Sequence, residues 1–342
     1  MATMADVARH SGVSVSTVSH VLNGTRFVKE ETRTQVLEAV RATGYVGNTV
    51  ARSLATSSTK TLGLAVSTVT NVHFAQLLST IDATARAAGY ALLMVDTHDD
   101  PAEEFRLVQN LHQRRVDGLL LATAAGPRGP SLRYLKESGL PTVLLDRCAS
   151  PAFDQVGTAG LEATARLVDH LADCGHTRIG MISGRRGVRT TGERVRGWRR
   201  GMERRGLEAG DDLVVSGNGQ ALAAQQAVEH LLSIERPPTA LVVGNNHMTI
   251  GALRGLRRMG RQVPGDVALC AFDQLEWADL IEPRLTVIAQ PLEQIGATAV
   301  RLLLERIADP GGTRQTVLLE STLLHGESCG CGGGGGATAG RE

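Results

Sequence analysis

From Leu62 onward the chain alternates short apolar runs with stretches of helical character. The runs include "TLGLAV", "ALLMV", "DGLLLA", "TVLLD", "RIGMI", "ALVVG" and "DVALCAF". Continuous apolar runs of this length, spaced by amphipathic segments, predict parallel strands covered by helices on both faces. Polar residues fall just past several of these strands. Asn71 follows the first, Asp146 follows "TVLL", Asn245 follows "ALVVG" and Asp273 follows "VALCAF". Ligands of open α/β sheets bind outside the carboxyl ends of strands, so these four residues are candidates for one cleft between two lobes. Taken singly, each reads equally well as the cap of a following helix.

The first sixty residues follow a period near 3.6 instead. In "TMADVARHSG", Thr3 and Asp6 have the spacing of a capping box, Val7 and Ala8 give an apolar side, and Gly12 is a natural stop. Ser14 can cap a second helix to about Leu22, closed by Asn23-Gly24. Val15, Val18, Val21 and Leu22 fall on one side of it, with Ser16 and His20 opposite. Ala8, Gly12 and Val18 keep the spacing of a helix-turn-helix: a small residue at the crossing, a glycine in the turn, an apolar residue beneath. A third helix ends at Gly44, with Val36, Leu37 and Val40 as its expected buried side. Short hydroxyl side chains let a helix sit deep in a major groove, where a longer polar residue discriminates between bases. An ordinary three-helix domain with a solvated polar face is the competing reading. Residues 48–55 form a further candidate helix, with Val50, Ala51 and Leu54 on one side, before the linker "TSSTKT". So short a helix orders only against a partner, such as DNA or a symmetry mate.

Charge sharpens this division. Residues 1–60 hold seven Lys/Arg against four Asp/Glu, and the remainder holds 29 against 31, so a mildly basic head precedes a mildly acidic body. That favours a polyanionic partner for the head alone. The nine arginines between 185 and 205 suggest a second nucleic-acid surface. On a helix starting near Thr191, however, Val195, Trp198 and Met202 form a buried stripe. Arg196, Arg200 and Arg204 then point to solvent, while Arg194 lies beside the stripe in the first turn and can reach a cleft. Five cysteines in 342 residues give no disulfide framework, and Cys148, Cys174 and Cys270 read as core fillers. Cys329 and Cys331 form a C-x-C beside a glycine run, but two ligands do not make a zinc site, so 329–342 reads as a flexible Gly-rich tail. No signal peptide or membrane span is apparent, and a soluble cytoplasmic protein is expected. There is no P-loop, no complete G-x-G-x-x-G and no nucleophile elbow, so neither an enzyme nor a cofactor is expected. "THDD" at 97–100 reads as a loop leading into Pro101 at a helix start rather than as a metal site. A transporter's solute-binding protein would share the two lobes but lack the head.

Three stretches carry a resemblance. "MADVARHSGVSVSTVSHVLNG", "VKEETRTQVLEAVRATGYVGN" and "ARSLATSSTKTLGL" are similar to the head and hinge of the lactose-repressor (LacI/GalR) family of bacterial transcription regulators. The likeness continues through "DGLLLA", "LLDR" and "PRLTVIAQP" to about residue 328. It implies an all-α helix-turn-helix head (1–47), a hinge helix and linker (48–60) and a two-lobed periplasmic-binding-protein-like body (61–328). The first lobe would span about 61–157 and 286–317, the second about 158–285 and 318–328. It further implies a homodimer on a pseudo-palindromic operator, controlled by a small-molecule effector, most plainly a carbohydrate. Val15, Ser16 and His20 then fall where bases are read, and Asn23, Thr32, Tyr45 and Asn48 where phosphates are held. Leu54 falls where a leucine wedges the minor groove; Thr3, Ser14, Thr17 and Ala51 complete the DNA-contacting set. Effector contacts are implied at Asn71, His73, Phe74, Asp146, Arg194, Asn245 and Asp273. The chain departs from the family's usual pattern at His73-Phe74, at Asn245-Asn246 and at Gly326-Glu327-Ser328, and His20 stands where arginine is usual. No leucine heptad follows residue 328, so a tail-built tetramer is not expected.

Overall fold

The structure, a computed structural model, describes residues 2–24, 26–45, 58–67, 71–275, 277–278 and 280–331. It divides into two compact units, Met1–Thr59 and Lys60–Glu342.

In the first unit, α1 (Met4–Ser11), α2 (Val15–Asn23) and α3 (Glu30–Thr43) close on a small core of Val7, Ala8, Val18, Val36 and Ala39. The local signals act as expected. Thr3 and Asp6 form a reciprocal capping box, Ser14 accepts the Thr17 N–H at 3.1 Å, and Gly12, Gly24 and Gly44 end the three helices in the left-handed region. One expectation for the core fails. Leu37 is 37% exposed, whereas Ala39 is buried; Val15, on the same side of α2 as Val18, is 46% exposed. On α3 the buried arc is set by Val36, Ala39 and Val40, and Leu37 lies a full 100° around from Val36. Residues 48–55, the expected hinge helix, lie outside the described residues.

The second unit holds two sheets. The first is ordered β11-β5-β4-β3-β1-β2 and is parallel throughout: β1 (Thr61–Val66), β2 (Ala91–Asp96), β3 (Gly118–Leu121), β4 (Thr142–Leu145), β5 (Asp154–Thr158) and β11 (Thr316–Leu319). The second is ordered β12-β10-β9-β8-β6-β7: β6 (Ile179–Ser183), β7 (Val214–Ser216), β8 (Ala240–Val243), β9 (Ala268–Phe272), β10 (Thr286–Ala289) and β12 (Thr322–Leu324). Only β12 runs antiparallel there, against β10. Helices α4 (Val72–Ala87), α5 (Pro101–Gln113), α6 (Pro130–Ser138) and α11 (Leu292–Ala308) belong to the first lobe. Helices α7 (Gly160–Asp173), α8 (Arg189–Arg204), α9 (Ala221–Leu231) and α10 (Asn246–Arg258) belong to the second.

The chain therefore crosses between lobes near 159, at 290–291 and at 320–321. This corrects the expected lobe limits at 286 and 318. Residues 286–289 pair with β9 and bury Val287 and Ile288 in the second lobe, whereas Leu318 and Leu319 pair with β5 in the first. The tail expectation also needs correction. Cys329 is 1% exposed within the second lobe's core, and Cys331 lies against Cys174, with Cα atoms 5.1 Å apart, so 329–331 belong to the body. A buried ion pair fixes the first lobe's late strand: Arg306 Nε donates to Asp154 Oδ2 at 2.7 Å and its other nitrogens donate to the Gly312 and Thr313 carbonyls, 2.8 and 2.9 Å away.

The second lobe's helices pair at glycines. Gly197 and Gly201 of α8 face α7, where a Cβ at Gly197 would collide with the Leu161 carbonyl and one at Gly201 would lie 2.6 Å from Val168. Gly251 of α10 meets the Ala221 carbonyl of α9 in the same way. Overfilling such a contact costs about 1–3 kcal/mol. Gly197→Ala is accordingly expected to lower the thermal midpoint of the full chain by several degrees. Gly192→Ala, on the same helix with only the Arg196 guanidinium nearby, should be neutral or stabilising through helix propensity. Equal midpoints for the two variants would show that α7 and α8 do not cross this closely.

Candidate functional site

Because the strands of each sheet run parallel up to the crossovers, their carboxyl ends open on one gap between the lobes. A cleft of about 440 Å³ lies there, lined by all seven expected residues: Asn71, His73, Phe74, Asp146, Arg194, Asn245 and Asp273. Asp146 follows β4 of one lobe and Asp273 follows β9 of the other, with φ of 62° and 77°. This left-handed conformation is one that aspartate tolerates better than most residues. Neither residue is the N-cap of a described helix. His73, in the first turn of α4, stands between them: its Nε2 is 3.8 Å from Asp146 Oδ1 and its Nδ1 is 3.8 Å from Asp273 Oδ1. Both gaps exceed hydrogen-bond length, so the imidazole and the carboxylates keep capacity for a third group. Phe74 sits edge-on to His73, with ring centroids 5.2 Å apart.

For the asparagines, the two readings left open by the sequence hold together. Asn71 caps α4 by accepting the His73 N–H at 3.0 Å, and Asn245 caps α10 by accepting the Met248 N–H at 2.8 Å. Both also line the cleft. Asn246 donates from Nδ2 to Asn71 Oδ1 at 2.7 Å, a bond across the lobes that an aspartate at 246 could not donate. Arg194 lies in the second turn of α8, since that helix begins at Arg189 rather than near Thr191. It donates to the Gly244 carbonyl, its guanidinium carbon lies 3.7 Å from the Phe272 ring centroid, and its buried Nε has no protein partner.

Sequence reasoning missed a second set of groups. Arg147 donates to Asp99, to the Thr123 carbonyl at 2.9 Å and to Ser67 Oγ at 3.4 Å. From the other lobe, Arg185 donates to the Ala124 carbonyl at 3.1 Å and places Nε 3.5 Å from Asp99. Asp99 belongs to the "THDD" loop, which does lead into α5 through the cap Asp100. Gln290, on the second crossover, donates to Asp273 Oδ1 at 2.6 Å and accepts from Thr158 Oγ1 at 2.7 Å. Cys148 is a packing residue, its thiol pushed up to about 12 by burial and by the Asp146 carboxylate.

In the head, Val15 and Ser16 are exposed at the start of α2, where Ser14 Oγ lies 2.7 Å from Ser16 Oγ and 2.9 Å from Thr17 Oγ1. His20 is half-buried one turn later, and Asn23 donates to Ser19 Oγ at 3.2 Å. Thr32 is half-buried in the first turn of α3, and Tyr45 packs against the head core. The Thr3 hydroxyl donates to Asp6 at 2.7 Å within the capping box, which holds the Asp6 carboxyl below its ordinary value. Asn48, Ala51 and Leu54 lie outside the described residues. The arginine-rich helix is not a second binding face. Arg196, Arg200 and Arg204 are exposed as expected, but Arg200, Arg204 and the neighbouring Arg205 pair with Glu162, Asp169 and Asp173 on α7.

Residues 3–48 match the model of bacterial regulatory proteins of the lacI family, and residues 168–329 match that of the periplasmic binding protein-like domain. The chain is 36% identical over 327 residues to the HTH-type transcriptional repressor PurR of Aliivibrio fischeri strain MJ11, covering 95% of this chain and 97% of that one. It is 35% identical over 310 residues to PurR of Aliivibrio salmonicida, covering 90% and 93%. Among solved structures it is similar to a lac repressor dimer bound to operator and the anti-inducer ONPF, with TM-score 0.86, 25% identity and coverage of 96% and 99%. It is also similar to the transcriptional regulator CelR in complex with cellobiose, with TM-score 0.73, 29% identity and coverage of 96% and 100%. No helix among the described residues is long and apolar enough to cross a membrane. The relatives are repressors, a non-enzymatic role. With its helix-turn-helix head and its two-lobed body, the chain belongs to the lacI family of bacterial regulatory proteins, as a DNA-binding transcriptional repressor under small-molecule control.

Proposed function

We propose that the effector is a polyhydroxylated molecule, a sugar or sugar derivative, held between the lobes by Asn71, His73, Phe74, Asp146, Arg194, Asn245 and Asp273. The observation that carries this is the imidazole of His73 set between two left-handed aspartates from different lobes. Carboxylates only accept hydrogen bonds, guanidinium only donates, and amides and imidazole do both, which suits hydroxyls that need a partner for each role. Phe74 offers the cleft an apolar contact for the C–H groups of a sugar. A planar heteroaromatic base would want a second open ring face, and Phe272 is already covered by Arg194. The cellobiose of the similar CelR complex agrees with this chemistry.

In this reading two copies of the chain act together in the cytoplasm on a pseudo-palindromic operator. Val15, Ser16 and His20 face base edges, and Ser14 and Thr17 order the start of the reading helix. Asn23, Thr32, Tyr45 and Asn48 hold phosphates, and Leu54 wedges the minor groove beside Ala51. Thr3 serves by ordering α1. Exposed Val15 suits a thymine methyl, which apolar side chains read in the major groove.

Loss of one charged ligand contact costs roughly 1.5–3 kcal/mol, or about 10- to 150-fold in affinity. Asp273→Asn keeps the backbone conformation, because asparagine also tolerates the left-handed region. It is expected to weaken effector binding by that factor in calorimetry while operator affinity without effector stays unchanged. A thermal-shift screen against sugars and nucleobases selects the ligand beforehand, and stabilisation by nucleobases alone would refute the carbohydrate assignment. For the head, arginine grips guanine O6 and N7 with two bonds worth about 1–3 kcal/mol of discrimination. His20→Arg should therefore shift selected operators toward guanine at one symmetry-related pair of positions. Unchanged base preference would mean that His20 does not read DNA.

A further inference from the structure

The C-x-C of Cys329 and Cys331 lacks two ligands in the sequence, and the fold brings two to it. His170 lies in the last turn of α7 and Cys174 is its C-cap, so at i and i+4 they share one face. Cys329 and Cys331 flank Gly330, whose φ of 76° turns the chain back beside that helix end. His170 Nε2 is 3.8 Å from Cys174 Sγ and 3.6 Å from Cys331 Sγ. One ligand atom from each of the four residues lies within 4.8 Å of the other three.

We infer that His170, Cys174, Cys329 and Cys331 form a structural zinc site. A tetrahedral zinc with bonds of about 2.3 Å to sulfur and 2.0–2.1 Å to nitrogen has S···N edges of about 3.6 Å and S···S edges of about 3.8 Å. The two S···N separations already match those edges. A disulfide between Cys174 and Cys331 is the alternative, and it would use only two of these groups. It would give no role to the sulfur of Cys329, buried beside them, nor to the imidazole nitrogen facing both sulfurs. In the reduced chain, each of the three thiols releases its proton to solvent as Zn²⁺ binds, including the one that Cys329 donates to the Gly326 carbonyl. Neutral His170 supplies the fourth bond, leaving a site of net charge −1. Three thiolates and an imidazole are a donor set that selects zinc over hard cations.

Four protein ligands close the coordination sphere, so the site is structural and not catalytic. It also lies away from the cleft. Cys174 ends α7 just before β6 begins at Ile179, which puts it at the amino edge of the second sheet, whereas the cleft is at the carboxyl edge. Zinc there staples the end of the body to α7, closing a loop of 157 residues.

The full chain, purified under reduction and without chelator, should carry about one zinc ion per chain by elemental analysis. Replacement by Co²⁺ should give the visible bands of tetrahedral cobalt with sulfur-to-cobalt charge transfer. After chelation and denaturation all five cysteines should react as free thiols. Cys331→Ser and His170→Ala should each lose most of the zinc. Should either variant fold poorly, the cobalt spectrum of the unaltered chain decides. Absence of zinc with two thiols missing from the count would overturn the site in favour of a structural disulfide. Octahedral cobalt bands, or zinc retained in both variants, would equally overturn it.

Discussion

Parallel strand direction is the constraint on which the rest of the body depends. Every strand of the first sheet and all but β12 of the second run the same way, so strand carboxyl ends and the polar residues just past them collect at one edge of each sheet. Three crossings then hold those edges face to face. Gln290, on the second crossing, is bonded both to Asp273 in the cleft and to Thr158 at the end of β5 beside the first. A ligand donor placed on the Asp273 carboxylate, as proposed, would share its acceptor with the residue that ties two crossings together. Coupling between cleft and lobe arrangement needs only that the ligand prefer one arrangement of those bonds. The bonds from Asn246 to Asn71 and from Arg185 to the Ala124 carbonyl already span the gap and would be broken by opening.

The left-handed aspartates show how the two lobes build one site from repeated parts. Asp146 and Asp273 each end a buried strand, and each turns into a backbone region that costs most side chains about 1–3 kcal/mol. That conformation aims both carboxylates into the gap instead of along a following helix. His73, 6% exposed, then sits where a buried polar group most needs partners, yet both neighbours are 3.8 Å away. Unpaired capacity inside a buried cleft is costly unless a ligand or water completes it.

Much of this was legible in the sequence because burial and strand ends leave a pattern. Uniformly apolar runs located β1, β3, β4, β6, β8 and β9, and polar residues just past several of them located the cleft. Strand β5 escaped because its sequence, "DQVGT", is polar: Asp154 is neutralised by Arg306, and Gln155 donates to Thr316 Oγ1 at 2.9 Å. Asp99, Arg147 and Arg185 escaped because their pairing is purely tertiary, joining loops 48 residues apart and more. Leu37 was misplaced because a leucine midway along an amphipathic helix looks buried, while Val36, Ala39 and Val40 set the arc that faces the head core. The lobe limits failed because β10 is as apolar as any strand and carries no mark of which sheet it joins.

Charge explains why recognition must be concentrated in the head. The arginines of α8 form the densest cationic run in the chain, yet Glu162, Asp169, Asp173 and Asp211 engage them, leaving little field for phosphates. The head itself has an excess of three cations over residues 1–60. A single head of that charge displaces few counterions, and non-specific affinity scales with that number. In the proposed reading, binding strength comes from geometry instead: hydroxyls and backbone N–H groups at the start of α2, short side chains that let the helix approach, and a second head on the same duplex. A symmetric operator would supply that second head at fixed spacing, turning two weak contacts into one strong and selective one.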